Sequence, residues 1–231
     1  MDLQALLLTV RLAVVTTLIL LVIALPLAWW LARSRSHLRP LVEALSSLPL
    51  LLPPTVLGFY LLVMLGPTTA FGRSLTLLLG HPLAFTFNGL VLGSVLYSFP
   101  FAVQPLTSGF RALDTAVLED AALLGASPIR TFWTVALPMT APALRTSAVL
   151  TFMHTVGEFG VVLMLGGNIP GATRTISIAL YDQVQEFDYV QANRTAMLLM
   201  LCAFIALVTI NLRRGSQITD PEAMRNGDQL V

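Results

Sequence analysis

The chain has 231 residues, 56% hydrophobic and only 11% charged, with a net charge of +1. A soluble domain carries about 25% charged residues, so a water-covered globule is excluded and the apolar excess must face lipid or pack inside a membrane bundle. All thirteen basic residues are arginine, which excludes a phosphate-binding loop built on lysine and a lysine Schiff base; the single Cys202 excludes a disulfide framework or a cysteine-held metal cluster within one chain.

Crossing about 30 Å of hydrocarbon takes about 20 helical residues. The first stretch of that kind runs from Leu12 to Ala32 without a charge and predicts a span over about residues 10–32. Asp2 precedes its apolar core and Arg33, Arg35 and Arg39 follow it, the reverse of a cleaved signal peptide. It therefore reads as a retained span with its N-terminus outside. Trp29 and Trp30 are expected to anchor it at the interface, and Arg11 to snorkel to the surface. The second span is expected over about 46–66. Pro49, Pro53 and Pro54 at its entrance fit either a broken helix lining a cavity or a simple kink. The third is expected over about 86–108, the fourth over about 144–166 with Glu158 as its one charge, and the fifth over about 194–212. Residues 215–231 read as a polar cytoplasmic tail, and residues 1–214 as one membrane domain without an internal repeat.

Arginine bias gives an orientation. The segments after spans one, three and five hold Arg33, Arg35 and Arg39, then Arg111, Arg130 and Arg145, then Arg213, Arg214 and Arg225. The alternate segments hold only Arg73, Arg174 and Arg194. This predicts a cytoplasmic C-terminus and, with five spans, an external N-terminus.

The connection between spans three and four, about 112–140, is too charged to cross the membrane and too apolar for a plain linker. Asp114 is placed to cap a helix. Leu113, Val117, Ala121 and Leu124 then fall on one helical face. Gly125 with Ser127-Pro128 ends this helix and starts another, and Pro138 and Pro142 turn the chain back toward the bilayer. A helix resting on lipid usually shows a basic face. This one shows Asp114, Glu119 and Asp120, which an anionic leaflet would repel, so a protein partner is the better reading.

Within this connection, Glu119 to Gly125 followed by Val135-Ala136-Leu137-Pro138 resembles the E-A-A-x-x-x-G-x9-I-x-L-P motif of ABC importer permeases. Glu119, Ala121, Gly125, Leu137 and Pro138 match it, Asp120 replaces its first alanine and Val135 its isoleucine. The resemblance implies an all-α type I permease fold of five transmembrane helices. The connection would serve as a coupling helix-turn-helix that docks on a separate cytoplasmic ATPase through Glu119, Asp120, Ala121, Ala122, Gly125, Ala126, Leu137 and Pro138. It further implies a homodimer in the cell inner membrane, supplied by a periplasmic or extracellular binding protein, with ATP and Mg on the partner ATPase and no cofactor, catalytic residue, metal or nucleic acid on this chain. The groups G157-E-F-G160, G166-G-N-I-P-G171 and T173-R-T-I-S177 resemble molybdate permeases, and Q185-E-F-D-Y189 also occurs in sulfate relatives. The implied cargo is a tetrahedral oxyanion, molybdate first, with sulfate, thiosulfate or tungstate as alternatives.

An ionised Glu158 in the path would repel a dianion by about 4 kcal/mol at about 8 Å and an effective dielectric of about 20. A structural or gating role, with a partner arginine or backbone N–H groups, is therefore expected for it. Gly157 and Gly160, around Phe159, would permit close helix packing. Arg174 and Arg194 either face the binding protein or are solvated. His154 reads as a packing residue. An ion-coupled secondary transporter would show an inverted repeat, and a membrane enzyme a catalytic constellation; His154 and Glu158 form the one candidate pair.

Overall fold

A computed structural model of the chain describes residues 2–215, which fold into helices connected by short loops. The expected tail lies outside the described residues except for Gly215. Helix α1 (Leu3–Arg33) starts two turns earlier than its apolar core suggests, because the Asp2 carboxylate accepts from the Ala5 N–H and caps it. Helix α5 (Phe87–Arg111) is capped in the same way by Thr86. Helix α12 (Tyr189–Gly215) is the third helix long and apolar enough to cross a membrane.

The two remaining spans are discontinuous: the one expected over 46–66 takes the broken-helix alternative its prolines left open, and the one expected over 144–166 breaks where no interruption was expected. Helix α2 (Arg39–Leu51) and α3 (Pro54–Leu65) meet at 108°. The cause is the Pro53-Pro54 pair: neither residue offers an N–H to the preceding turn, and Leu52 is forced into extended backbone. Helix α9 (Ala141–Gly157) and α10 (Gly160–Gly166) meet at 58°, with Glu158 extended between them. No proline marks that break. If each bent pair counts as one crossing, the spans number five. The short helices α4 (Ala70–Leu79) and α11 (Ile176–Gln185) fill the connections at the far end from the link between α5 and α9. Between α5 and α9 lie α6 (Thr115–Leu123), α7 (Pro128–Thr131), a π-helical turn (Phe132–Ala136) and α8 (Leu137–Met139).

The core is the bundle of α1, α5 and α9. Leu20, Ala24, Ala28, Leu31, Ala102, Val103, Leu106, Phe110 and Ala136 are buried together at one end, and Leu12, Leu90, Val162 and Ile178 at the other. Small residues let the helices approach, as expected between membrane helices. A Cβ on Gly160 would sit 2.8 Å from Pro54 Cβ, and one on Gly58 2.8 Å from Met164 Cβ, so α10 and α3 touch backbone to backbone. The two broken spans thus meet at their breaks. Gly157 has no such role: its Cβ position is open, contrary to the packing expected of it.

Candidate functional site

Helix α6 begins as the sequence predicts, with the Asp114 carboxylate accepting from the Ala116 N–H at 3.0 Å. It ends in two nested hydrogen bonds: Ala126 N–H donates to Ala121 C=O at 3.0 Å and Gly125 N–H to Ala122 C=O at 2.9 Å. This is a Schellman termination, whose C′ residue must adopt the left-handed conformation, and Gly125 has φ +82°. The spacing from Ala121 to Gly125 follows from that hydrogen-bond pattern. Ser127 then caps α7 by accepting from Arg130 N–H at 3.3 Å, with Pro128 in the first turn.

The turn has a second consequence. As the last residue before Gly125, Leu124 leaves the helical register, so it does not join Leu113, Val117 and Ala121 on the inward face as the periodicity suggests. It is 89% exposed, and beside it Leu123 is 85%, Ile129 74% and Trp133 59% exposed. These four form an apolar ridge in a segment that does not span the membrane. Glu119, Asp120 and Ala122 are exposed as well, whereas Ala121 and Ala126 are half-buried under them. Carboxylates near the C-terminal end of a helix oppose its dipole by about 0.3–1 kcal/mol each. Asp120, in the last turn of α6, therefore does not stabilise it through the dipole. Exposed apolar patches with polar rims mark protein or membrane contacts, and acidic groups beside them disfavour an anionic leaflet.

The root of this segment is rigid. Trp29 of α1 packs edge-on against Phe110 at 5.2 Å and against Phe132 of the π-helical turn at 5.5 Å. Trp29 is thus a packing residue here, not the lipid anchor expected of it. Arg33 donates to the Phe110 and Leu113 carbonyls at 3.2 and 3.3 Å, so a cation from α1 caps the C-terminal end of α5. Arg111 binds Glu43 of α2 at 2.9 Å. Leu137 and Pro138 follow the π-helical turn, Leu137 half-buried and Pro138 exposed, and Thr140 closes the segment by donating to Ala136 C=O. The π-helical turn after α7 is thus joined to α1 and α5 by packed rings, and Arg33 ties α1 to the end of α5.

Among the described residues, every buried polar side chain is a serine or threonine hydroxyl, with one exception. Ser147 donates to Ala102 C=O at 2.9 Å, and Ser98 joins Thr155 at 3.0 Å and His154 Nδ1 at 2.9 Å. His154 also stacks on Phe101 at 4.0 Å and is the packing histidine expected. The exception is Glu158, 3% exposed. Neither arginine nor a backbone N–H meets its oxygens, which corrects the expected pairing; Ser94 lies beside it without closing a hydrogen bond of good geometry. The α9 break also turns Glu158 out of the helix, so it and His154 form no pair. Phe159 packs on Tyr181 of α11 at 5.1 Å.

Arg174 is not a free surface cation. Its guanidinium meets Asp182 at 3.4 Å, Asp2 at 3.9 Å and the Asn168 side chain at 2.6 Å, tying the loop after α10 to the start of α1 and to α11. Arg194 is exposed. Among the described residues no cluster of side chains suits a metal ion. The Arg174 network and the left-handed turn at Gly167 carry no periodic signal in the sequence; only the dense Gly-Asn-Pro-Gly composition marks that loop as shaped.

The chain is similar to known proteins in sequence and in fold. The model of a family described as "Binding-protein-dependent transport system inner membrane component" matches residues 8–213. A molybdenum transport system permease protein of Azotobacter vinelandii is 51% identical over 209 residues, covering 90% of this chain and 92% of that protein. Its counterpart in Escherichia coli K12 is 36% identical over 182 residues, 79% of this chain and 80% of that protein. Among solved structures, an inward-facing MetNI methionine ABC transporter superposes with a TM-score of 0.70 at 17% identity, over 91% of this chain and 93% of that chain.

Proposed function

The chain belongs to the inner membrane components of binding-protein-dependent transport systems, a multi-pass permease family, and we propose that it carries molybdate into the cell as the channel-forming subunit of an ABC importer. The likeness to molybdenum permeases at 51% identity supports the cargo. The exposed ridge of Leu123, Leu124, Ile129 and Trp133 carries the mechanism, because it supplies a partner surface on a rigid root. The chain itself is not an enzyme. ATP and Mg bind on separate cytoplasmic ATPases, one docked under each ridge.

In this reading two copies form the path at their shared interface, and an external binding protein delivers the anion. The C-terminus is cytoplasmic and the N-terminus external, as the arginine bias supports. Glu119, Asp120, Ala121, Ala122, Gly125, Ala126, Leu137 and Pro138 make up the coupling surface. Gly160 and the Glu158 break serve as a structural joint where the two discontinuous spans cross. Arg194 faces the binding protein, whereas Arg174 holds the outer loop in shape. Alternating access then follows from rigid-body movement of the docked ATPases, passed to the spans through the Trp29–Phe110–Phe132 cluster.

The test is uptake by the chain assembled with its ATPase and binding protein in vesicles. Molybdate accumulates only with ATP, and excess sulfate leaves it largely unchanged. Accumulation driven by an ion gradient without ATP would overturn the class, and sulfate carried in preference would overturn the cargo.

A further inference from the structure

Helix α5 carries one charge, Arg111 at its end, and most of its hydroxyls are buried. Gln104, Ser108 and Arg111 are different: they lie at i, i+4 and i+7 on one face, and all three are exposed. Gln104 stands about 10 Å inward from Arg111 along the helix axis, well within the hydrocarbon layer if α5 ends at the surface. A carboxamide and a hydroxyl aimed at lipid there would lose hydrogen bonds at a cost of several kcal/mol each. The stripe instead lines clefts between helices.

Two adjoining clefts share it. One of about 210 Å³ lies between α5 and α2 and is lined by Glu43, Ser46, Ser47, Gln104, Ser108 and Arg111 among others. The second, about 500 Å³, lies between α5 and α9, where Pro105, Gly109, Pro142, Ala143 and Thr146 join Gln104 and Ser108. Gln104 Nε2 donates to Ser47 Oγ at 3.2 Å across the first cleft. Arg111 pairs with Glu43 at 2.9 Å, and Glu43 also has Arg39 at 4.0 Å.

The geometry points to this wall, centred on Gln104 and Ser108, as the cytoplasmic half of the anion path. The inference rests on the permease reading above and adds the residues that touch the cargo. The wall offers the amide N–H groups of Gln104 and the hydroxyls of Ser47 and Ser108 to a tetrahedral oxyanion. The two charged residues that line it, Glu43 and Arg111, pair with each other. Such a lining replaces part of the hydration shell without trapping a dianion, as conduction requires. The facing half comes from the second copy.

Ser108→Cys and Thr146→Cys, each in a Cys202→Ala background, test it, with Phe204→Cys on the exposed side of α12 as the lipid-facing control. Membranes bearing the assembled importer are treated with a water-soluble sulfonate thiol reagent. Labelling is read by mass and molybdate uptake by isotope. Both wall positions label much faster than position 204. The added anionic group then lowers uptake by roughly tenfold or more. Labelling no faster than the control, or labelling that leaves uptake intact, overturns the inference. If the unmodified importer carries no molybdate, the proposed function fails instead, and the labelling comparison still decides whether the wall meets water.

Discussion

Replacing Gly125 isolates the backbone requirement of the coupling turn. A Cβ built on Gly125 meets nothing within 4 Å, so Gly125→Ala introduces no clash and removes no contact. What remains is the conformational cost of holding a residue with a side chain at φ +82°, about 1–2 kcal/mol for alanine. Asparagine tolerates this region better. If the cost falls entirely on the turn, the nested hydrogen bonds to Ala121 and Ala122 become less populated relative to a frayed end by roughly 5–30-fold. The helix end that presents Leu123 and Leu124 is then no longer fixed. Because no buried surface changes, membrane insertion and yield stay at wild-type level. In proteoliposomes containing the ATPases, Gly125→Ala is expected to lose most ATP-driven molybdate uptake, whereas Gly125→Asn keeps the greater part. Amide exchange at Ala126 should rise in step for the alanine variant. Equal uptake by the two variants at wild-type level would refute the reasoning, since the left-handed turn would then not hold the docking ridge.

Gly160→Ala places a methyl 2.8 Å from Pro54 Cβ and is expected to cost about 1–3 kcal/mol through overpacking, measured as a lowered thermal midpoint in detergent. The same change at Gly157, in the same four-residue group but with open space around it, leaves the midpoint unchanged. Glu158→Gln keeps the shape of a buried side chain that has no cationic partner, so uptake is expected to stay within about twofold of wild type; a larger loss would mean that the carboxyl group itself takes part in transport.

The sequence shows what depends on composition and on fixed spacing. Five apolar stretches appear because lipid leaves a helical span few alternatives, and the Asp114 cap, the Gly125 stop and the Ser127-Pro128 start are each a local rule that tertiary contacts do not override. Prolines flag one broken span. The other break is nearly silent, because Glu158 leaves the helix between two glycines with no proline, and extended backbone there is settled by how α10 lies on Pro54. The outward Leu124 shows a related limit: a periodic pattern holds only while the helix lasts, and the Schellman turn begins one residue too soon for it. The pairing of Arg174 with Asp2 joins residues far apart in the chain, which no local pattern announces.

Arg33 and Trp29 attach the coupling segment to one end of a single helix of 31 residues, about 46 Å long at the usual rise. The opposite tip of that helix is tied down too, by Asp2 to Arg174 and by the Thr9 hydroxyl to the Ile176 N–H. A tilt of about 5° pivoting at the Arg33 end would sweep the other tip through about 4 Å at that length. A rod of that length turns a small rotation at its Arg33 end into a larger displacement at its Asp2 end.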